Sequence, residues 1–325
     1  MFSHLSLHYL IGVIYTVLSE FLEEMSPISY SKVANTEKPY FTVFTSVFNG
    51  EKHISRVFDS IKNQTFKNFE WIIIDDGSTD DTKYLIENFI SHNPEIDIRF
   101  FSQANMGKHI AWNRAVEIAN GRLFIPADAD DYFFPDTLDF FNRHWESFSI
   151  SEQIKFSGIN VLCFDNDSQN IVGSPFPSDG MQTDNLHLQY KYKIKGEKWG
   201  CIRTDLIKSR RFPIIKNTHY PEDYLWLHFA KRYQLICFNT ALRRYYTTET
   251  GILHCLKNKT INGAWVSLKY NSWFLKNFGL FLLINSPVTI YHTLRCTISC
   301  MIIILKSWVI RKSIRIPVIE KAVIQ

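Results

Sequence analysis

Residues 69–82 read FEWIIIDDGSTDDT. The run from Phe69 to Ile74 is what a parallel strand covered on both faces requires, and it stops at two adjacent carboxylates, Asp75 and Asp76. Gly77 supplies a tight turn, after which Ser78, Thr79 or Asp80 is placed to cap a helix running to about Ile90. Capping accounts for the second half of the stretch only. Two carboxylates ahead of the glycine, at the carboxyl end of a strand, can accept hydrogen bonds from a base or a ribose.

The neighbouring stretches repeat the pattern. Tyr40 to Phe48, YFTVFTSVF, reads as a strand turning at Asn49 and Gly50, and Glu51 to Phe66 sets Ile54, Val57, Phe58 and Ile61 at helical spacing. Ile96 to Phe101 predicts a strand, Lys108 to Ile118 a helix, and Leu123 to Ile125 another strand. Such βα alternation predicts an α/β fold: a mostly parallel, Rossmann-like sheet with right-handed crossovers and flanking helices.

The strand at Leu123 ends in an acidic run, Gly121 to Asp131, GRLFIPADADD. Asp128, Asp130 and Asp131 fall within four positions, where they raise one another's pKa values unless a cation sits among them. One reading is a solvated acidic turn. The other is a site for a hard divalent metal with oxygen ligands, at a sheet end where ligands of open α/β folds bind.

Farther on, Leu138, Phe141, Trp145 and Phe148 form a helical stripe that reads as core, Phe156 to Phe164 a strand, and Asp165 to Asp184 a long loop of the kind that is usually functional. Trp199 and Gly200 stand in EKWGCIRT ahead of a short helix from Asp205 to Arg210. Tyr220 to Asp223, YPED, opens a helix whose Trp226, Leu227, Ala230 and Tyr233 share a face, with the carboxylates favoured at its positive end. Arg243 and Arg244 read as the solvated end of a strand.

With 325 residues, 26 Phe, 15 Tyr and 46 % hydrophobic residues, the chain has the means for a substantial core and is not disordered. A net charge of +4, dispersed, excludes a nucleic-acid surface. Six cysteines without CxxC pairing argue against structural zinc and disulfides and suit a reducing compartment. The apolar Leu5 to Leu18 lacks signal-peptide flanks, and Ser26 to Lys38 reads as a linker. Beyond Lys276, Asn277 to Leu294 is interrupted by polar residues and Cys296 to Leu305 is too short to span a bilayer. With Lys306, Arg311, Lys312 and Arg315 behind them, these segments read as amphipathic helices on an anionic membrane surface or as helices packed on the domain.

From Tyr40 to Gly251 the ordered elements FTVFTSVFNGEKHISRVFDSIKNQTF, FEWIIIDDGSTDDT, NMGKHIAWNRAVEIANGRLFIPADADD and YPED resemble the family 2 glycosyltransferases of the GT-A nucleotide-sugar fold. The resemblance implies an N-terminal extension and linker at 1–38, a GT-A domain at 39–251 and a helical, membrane-associating region at 252–325. It further implies an inverting transfer of a sugar from a nucleoside diphosphate sugar, a UDP-sugar being favoured, to a hydroxyl of a saccharide or lipid-linked acceptor. Such work belongs to surface polysaccharide or glycolipid synthesis on the cytoplasmic face of a membrane.

By position, Val47, Phe48 and Asp76 would hold the nucleoside, Asp128 the ribose or metal shell, and Asp130 the Mn²⁺ or Mg²⁺. Asp223 would be the general base, Glu222 an acceptor contact, and Trp199 with Gly200 a sugar platform; Asp131 would support the acidic turn. The family's Ala-Arg-Asn triplet stands here as Ala111, Trp112 and Asn113, so the usual arginine is absent and Lys108 is placed to supply the charge. The processive QxxRW motif is missing, and the late Arg-x-His element appears as Arg244, Tyr245 and Tyr246. Two rivals are a binding protein that keeps the nucleotide pocket without turnover, and a sugar nucleotidyltransferase. The latter needs a glycine-rich basic loop after the first strand, where Phe48 to Lys52 has one glycine.

Overall fold

A computed structural model describes residues 38–215, 218–246 and 260–310 of the chain. The apolar segment Leu5 to Leu18, most of the linker, the expected boundary at Gly251 and the basic residues Arg311, Lys312 and Arg315 lie outside the described residues.

The first half is the expected alternation. Strands β1 (Phe41–Val47), β2 (Phe69–Asp75), β3 (Asp97–Ser102) and β4 (Leu123–Pro126) alternate with helices α1 (Ile54–Lys62), α2 (Thr82–His92) and α3 (Lys108–Ile118). All pair in parallel in the order β3-β2-β1-β4. Because successive side chains of a strand point to opposite faces, Trp71 and Ile73 pack with Val57, Phe58 and Ile86 of α1 and α2. Ile72 and Ile74 pack with Ala111, Trp112 and Ala115 of α3 on the other face. Doubly covered strands explain the uninterrupted apolar reading of β2.

The second half is antiparallel and mixed. After β5 (Tyr132–Phe133), α4 (Thr137–Glu146) and α5 (Ile150–Gln153) come the long β6 (Phe156–Asp165) and the short β7 (Asn170–Ile171) and β8 (Met181–Thr183). A π-helical turn (His187–Lys191) leads to β9 (Lys198–Arg203), α6 (Thr204–Ser209), α7 (Asp223–Phe229) and β10 (Gln234–Tyr245). The sheet continues β4-β9-β6-β10-β5, with β9 antiparallel to both neighbours. The stretch expected as an unbroken loop, 165–184, therefore contains β7 and β8, which add to the edges of β6 and β10. The helix at YPED ends at Phe229, before Ala230 and Tyr233.

The acidic run is the hinge of this topology. Pro126 ends β4, and Tyr132 begins β5 at the far side of β10, pairing with Arg244. Four strand spacings of ~4.8 Å come close to the full reach of the intervening chain at ~3.3–3.6 Å per residue, yet the loop also folds back, Asp131 N donating to Asp128 O at 3.2 Å. The sheet must therefore curl through β9, β6 and β10, carrying β10 toward the end of β4.

Two long helices complete the described chain. α8 (Ile261–Asn285) lays Val266, Phe274, Phe278 and Leu282 on the domain, and α9 (Pro287–Ile310) packs back along α8. The two C-terminal segments inferred from sequence are thus divided differently: the break falls at Ser286, and α9 runs through Arg295. Residues Pro287–Ser307 are long and apolar enough to cross a membrane, which corrects the expectation that neither segment is.

Candidate active site

Two loops close the carboxyl ends of β1 and β2 by bonding to each other. Asn49 N donates to Ser78 Oγ at 2.9 Å, Thr79 N to Asn49 Oδ1 at 2.8 Å, and Gly50 N to Thr82 Oγ1 at 2.8 Å. Asp80 accepts from Thr82 N at 3.2 Å and so performs the capping expected of this stretch, which holds its carboxyl below the usual range against a small opposing effect of burial.

Asp76 is placed differently from the expected base contact. It is 3 % exposed, and its carboxylate accepts from Gln103 Nε2 at 2.7 Å, Met106 N at 3.0 Å and Gly107 N at 2.8 Å. The observed work of the side chain is to hold the 103–107 loop, whose Gly107 sits at φ 105° and starts α3. Val47 is buried in the core, whereas Phe48 beside it is 50 % exposed and open to a ligand. Asn113 is also structural: Nδ2 donates to Phe212 O and Oδ1 accepts from Phe212 N, both at 2.9 Å, which spends the amide on the 212 backbone rather than on a nucleotide.

The remaining candidates converge. Lys108 Nζ, at the first turn of α3, lies 2.8 Å from Asp128 Oδ1 and 3.0 Å from Glu222 Oε1, joining the acidic loop to the start of α7. Arg243, expected at a solvated strand end, is instead 4 % exposed. Its Nη2 pairs with Asp131 and with Asp128 Oδ2 at 3.3 Å, and its Nη1 with Glu197 Oε1 at 2.9 Å. The reason is the pairing of β5 with β10, which sets Arg243 opposite Phe133, immediately beyond the acidic run.

The charges follow from these contacts. Burial would raise Asp128, but Lys108 and Arg243 outweigh it and hold the carboxyl at about 2. Asp130 has no ion pair among the described residues, and burial, with Asp128 nearby, pushes it up. Asp131 is pushed up by burial against the pull of Arg243. No cluster of three His, Cys, Asp or Glu side chains forms a metal cage among the described residues. Asp130 nevertheless suits a hard cation whose other ligands are diphosphate oxygens and water, the usual arrangement for Mg²⁺ bound with a phosphate substrate.

Asp128, Lys108, Glu222, Asp223, Trp199, Gly200 and Arg243 line one cavity of about 340 Å³. Asp223 opens α7 and accepts from Gln189 Nε2 at 3.2 Å; burial raises its carboxyl, Gln189 opposes, and Glu222 adds to the rise. Trp199 is 4 % exposed, stacks on Phe133 with centroids 4.7 Å apart, and donates from Nε1 to Pro126 O at 2.6 Å. Its indole is thus packed as a support for the acidic loop and does not form the open platform expected of it. At Gly200 a Cβ would come within 1.8 Å of Ile159 O, so only glycine admits this approach of β9 to β6 at the cavity wall.

The late Arg244–Tyr246 element packs around the same loop. The Arg244 guanidinium stands over the Tyr132 and Phe134 rings, and the Tyr246 ring lies 4.1 Å from Arg56, whose Nη1 donates to Asp130 O at 3.2 Å.

Residues 42–174 match the profile described as glycosyl transferase family 2. The chain is 32 % identical to the chondroitin synthase of Escherichia coli over 126 residues, 37 % of this chain, but spans only 18 % of that protein. It is 23 % identical over 246 residues to the putative teichuronic acid biosynthesis glycosyltransferase TuaG of Bacillus subtilis, covering 73 % of this chain and 87 % of the relative. Among solved structures, S. aureus TarS 1-349 in complex with UDP-GlcNAc superposes with a TM-score of 0.57 at 19 % identity, over 80 % of this chain and 71 % of that one. The mannosyltransferase PcManGT from Pyrobaculum calidifontis, in complex with GDP-Man and Mn²⁺, gives 0.55 at 15 % identity, over 95 % of this chain and 86 % of that one. These likenesses establish the GT-A fold. The chain therefore belongs to glycosyltransferase family 2, its matched family segment spanning residues 42–174.

Proposed function

We propose that the protein transfers a sugar, with inversion, from a nucleoside diphosphate sugar to a hydroxyl of a saccharide or lipid-linked acceptor, in surface polysaccharide or glycolipid synthesis. The observation that carries this reading is the Lys108 bridge, which brings Asp128 of the acidic loop and the Glu222–Asp223 pair to one cavity. A UDP-sugar is the favoured donor, in keeping with the UDP-GlcNAc complex of the TarS neighbour. The transferase unit is 39–251, followed by a helical region, 252–325, that meets the cytoplasmic face of a membrane.

In this reading Phe48 stacks on the base at the end of β1. Asp130 holds Mn²⁺ or Mg²⁺ together with the diphosphate, and the ion, when bound, offsets charge on the departing group. Lys108 supplies a second cation at the cavity wall, and Arg243 fixes Asp128 and Asp131 so that Asp130 is the carboxylate left over. Asp223 takes the acceptor proton while the hydroxyl oxygen attacks the anomeric carbon from the face opposite the diphosphate. Gln189 aims the Asp223 carboxylate into the cavity.

The test is thermal stability with UDP, GDP, ADP and CMP, each with and without Mn²⁺, beside release of nucleotide from the donor sugar. A ligand bound only by the folded state raises its melting point. A metal-dependent shift for one nucleotide, with release of that nucleotide, supports the reading. A shift without release identifies a pocket lacking turnover, and no shift with any nucleotide refutes the donor site.

A further inference from the structure

We propose that α8 and α9 form an in-plane dock for an anionic lipid bilayer, with α9 lying along the interface. Between residues 261 and 310 the chain has no Asp or Glu and four basic residues, Lys269, Lys276, Arg295 and Lys306. Such a surface is electrostatically matched to an anionic leaflet. The apolar window Pro287–Ser307 is only 6 % buried. Tyr291, Leu294, Ile298, Ile302 and Leu305 recur every three or four residues along α9 and are all exposed. Leu280 and Ile284, at the turn from α8, are 77 % and 76 % exposed.

Composition alone would let α9 cross the membrane, but its neighbours hold it otherwise. Val266, Phe274, Phe278 and Leu282 fasten α8 to the catalytic domain along most of its length. α9 then returns along α8: Ile290 joins the cluster at one end, and Cys300 sits beside Ser267 at the other. A helix held against the flank of a folded domain cannot stand across a bilayer without carrying that flank into the lipid, where the domain's polar groups would be left unsatisfied. The stripe therefore meets lipid side-on.

The dock also fixes the height of the chemistry, a point that rests on the reading of Asp223 as the base. α7 lies directly on α8, Leu227 packing with Phe274 and Phe278, and the rings of Tyr224 and Trp273 having centroids 4.8 Å apart. Two helix layers of ~8–10 Å each set Asp223 roughly 20 Å above the lipid-facing side of α9. The acceptor class that fits is a lipid-anchored glycan long enough to lift its hydroxyl to that height.

The full-length protein is floated with phosphatidylcholine vesicles with and without phosphatidylglycerol, beside the exposed-face variant Ile298→Glu/Ile302→Glu. The dock predicts binding to the anionic vesicles, at least tenfold weaker binding by the variant with an unchanged melting point, and release of the wild type by alkaline carbonate. Retention after carbonate would show that α9 spans and overturn the in-plane arrangement. Absence of vesicle binding, or a wild-type dimer that the variant dissociates, would overturn the lipid as occupant. Neutron reflectivity on a supported anionic bilayer reads the orientation directly, and a domain standing clear of the lipid on an upright α9 would contradict it. Asp223→Asn separates the two readings: full turnover by that variant removes the base and the height argument, while vesicle binding still decides the dock.

Discussion

Lys108 Nζ stands 2.8 Å from Asp128 Oδ1, so one carboxylate of the acidic run is already neutralised by the chain itself. Arg243 takes the other oxygen of Asp128 at 3.3 Å and also pairs with Asp131. The run therefore offers a ligand one uncommitted acid, Asp130, rather than three.

Asp130→Asn is accordingly expected to leave the fold intact and to remove the metal-dependent part of nucleotide binding. Titration of nucleotide followed by calorimetry, with and without Mn²⁺, checks this. An unchanged metal effect in the variant would assign the cation elsewhere.

Replacement of Arg243 should act on stability first. Removing one partner from a buried ion pair costs about 3–5 kcal/mol because charge is left uncompensated, and Arg243 faces Asp128, Asp131 and Glu197. Arg243→Met should lower the urea midpoint correspondingly. Arg243→Lys should recover only part of the loss, since lysine lacks the planar fork that reaches several carboxylates.

Asp223→Asn should lower the transfer rate by about 10²–10⁴-fold with little change in nucleotide affinity. Because burial raises the Asp223 carboxyl above 3.8 and the base works deprotonated, the rate should fall on the acid side at a pH above that value. Gln189 donates to the charged form, so Gln189→Leu should move this limb to higher pH. A pH–rate profile of kcat/KM for both proteins measures the shift, and an unmoved limb would detach Gln189 from the base.

Asn113→Ala and Gly200→Ala separate scaffold from binding. Loss of the paired bonds to Phe212 leaves buried backbone groups unsatisfied, at about 1–3 kcal/mol, while nucleotide affinity stays as it was. At Gly200 even a methyl group collides with Ile159 O, so β9 must move off β6 and the melting point must drop. Differential scanning calorimetry on both variants gives the two costs.

Asp128 is the group whose acid titration should register in stability. Its carboxyl falls from 3.8 to about 2 on folding, so its contribution is complete above the unfolded value and is lost as pH drops through about 2. The difference in melting temperature between wild type and Asp128→Asn should therefore shrink between about pH 4 and pH 2, a window read by thermal melts at closely spaced pH.

The parallel half of the sheet was legible because its signals are local. Alternation in β1 and β2, the turn at Gly77 and the span of α3 from Lys108 to Ile118 each lie within a dozen residues. Arg243 was not legible, since nothing near it in sequence says that β5 pairs with β10 and brings carboxylates onto it. Asp76 and Asn113 were read by residue type at a suggestive position, and only the fold shows their side chains committed to Gly107 and Phe212. In α9 the lone charge of Arg295 divided an apolar run that the helix carries straight through.

The strap from Pro126 to Tyr132 ties the parallel half of the sheet to its outermost mixed edge. With so little slack, its length is itself a constraint: removal of even one residue would force β5 out of register with β10, while an inserted residue would loosen the grip of Arg243 on Asp128. The acidic loop is thus calibrated by the curl of the sheet, and the spacing of its carboxylates is a measurement of the fold as much as a chemical signature.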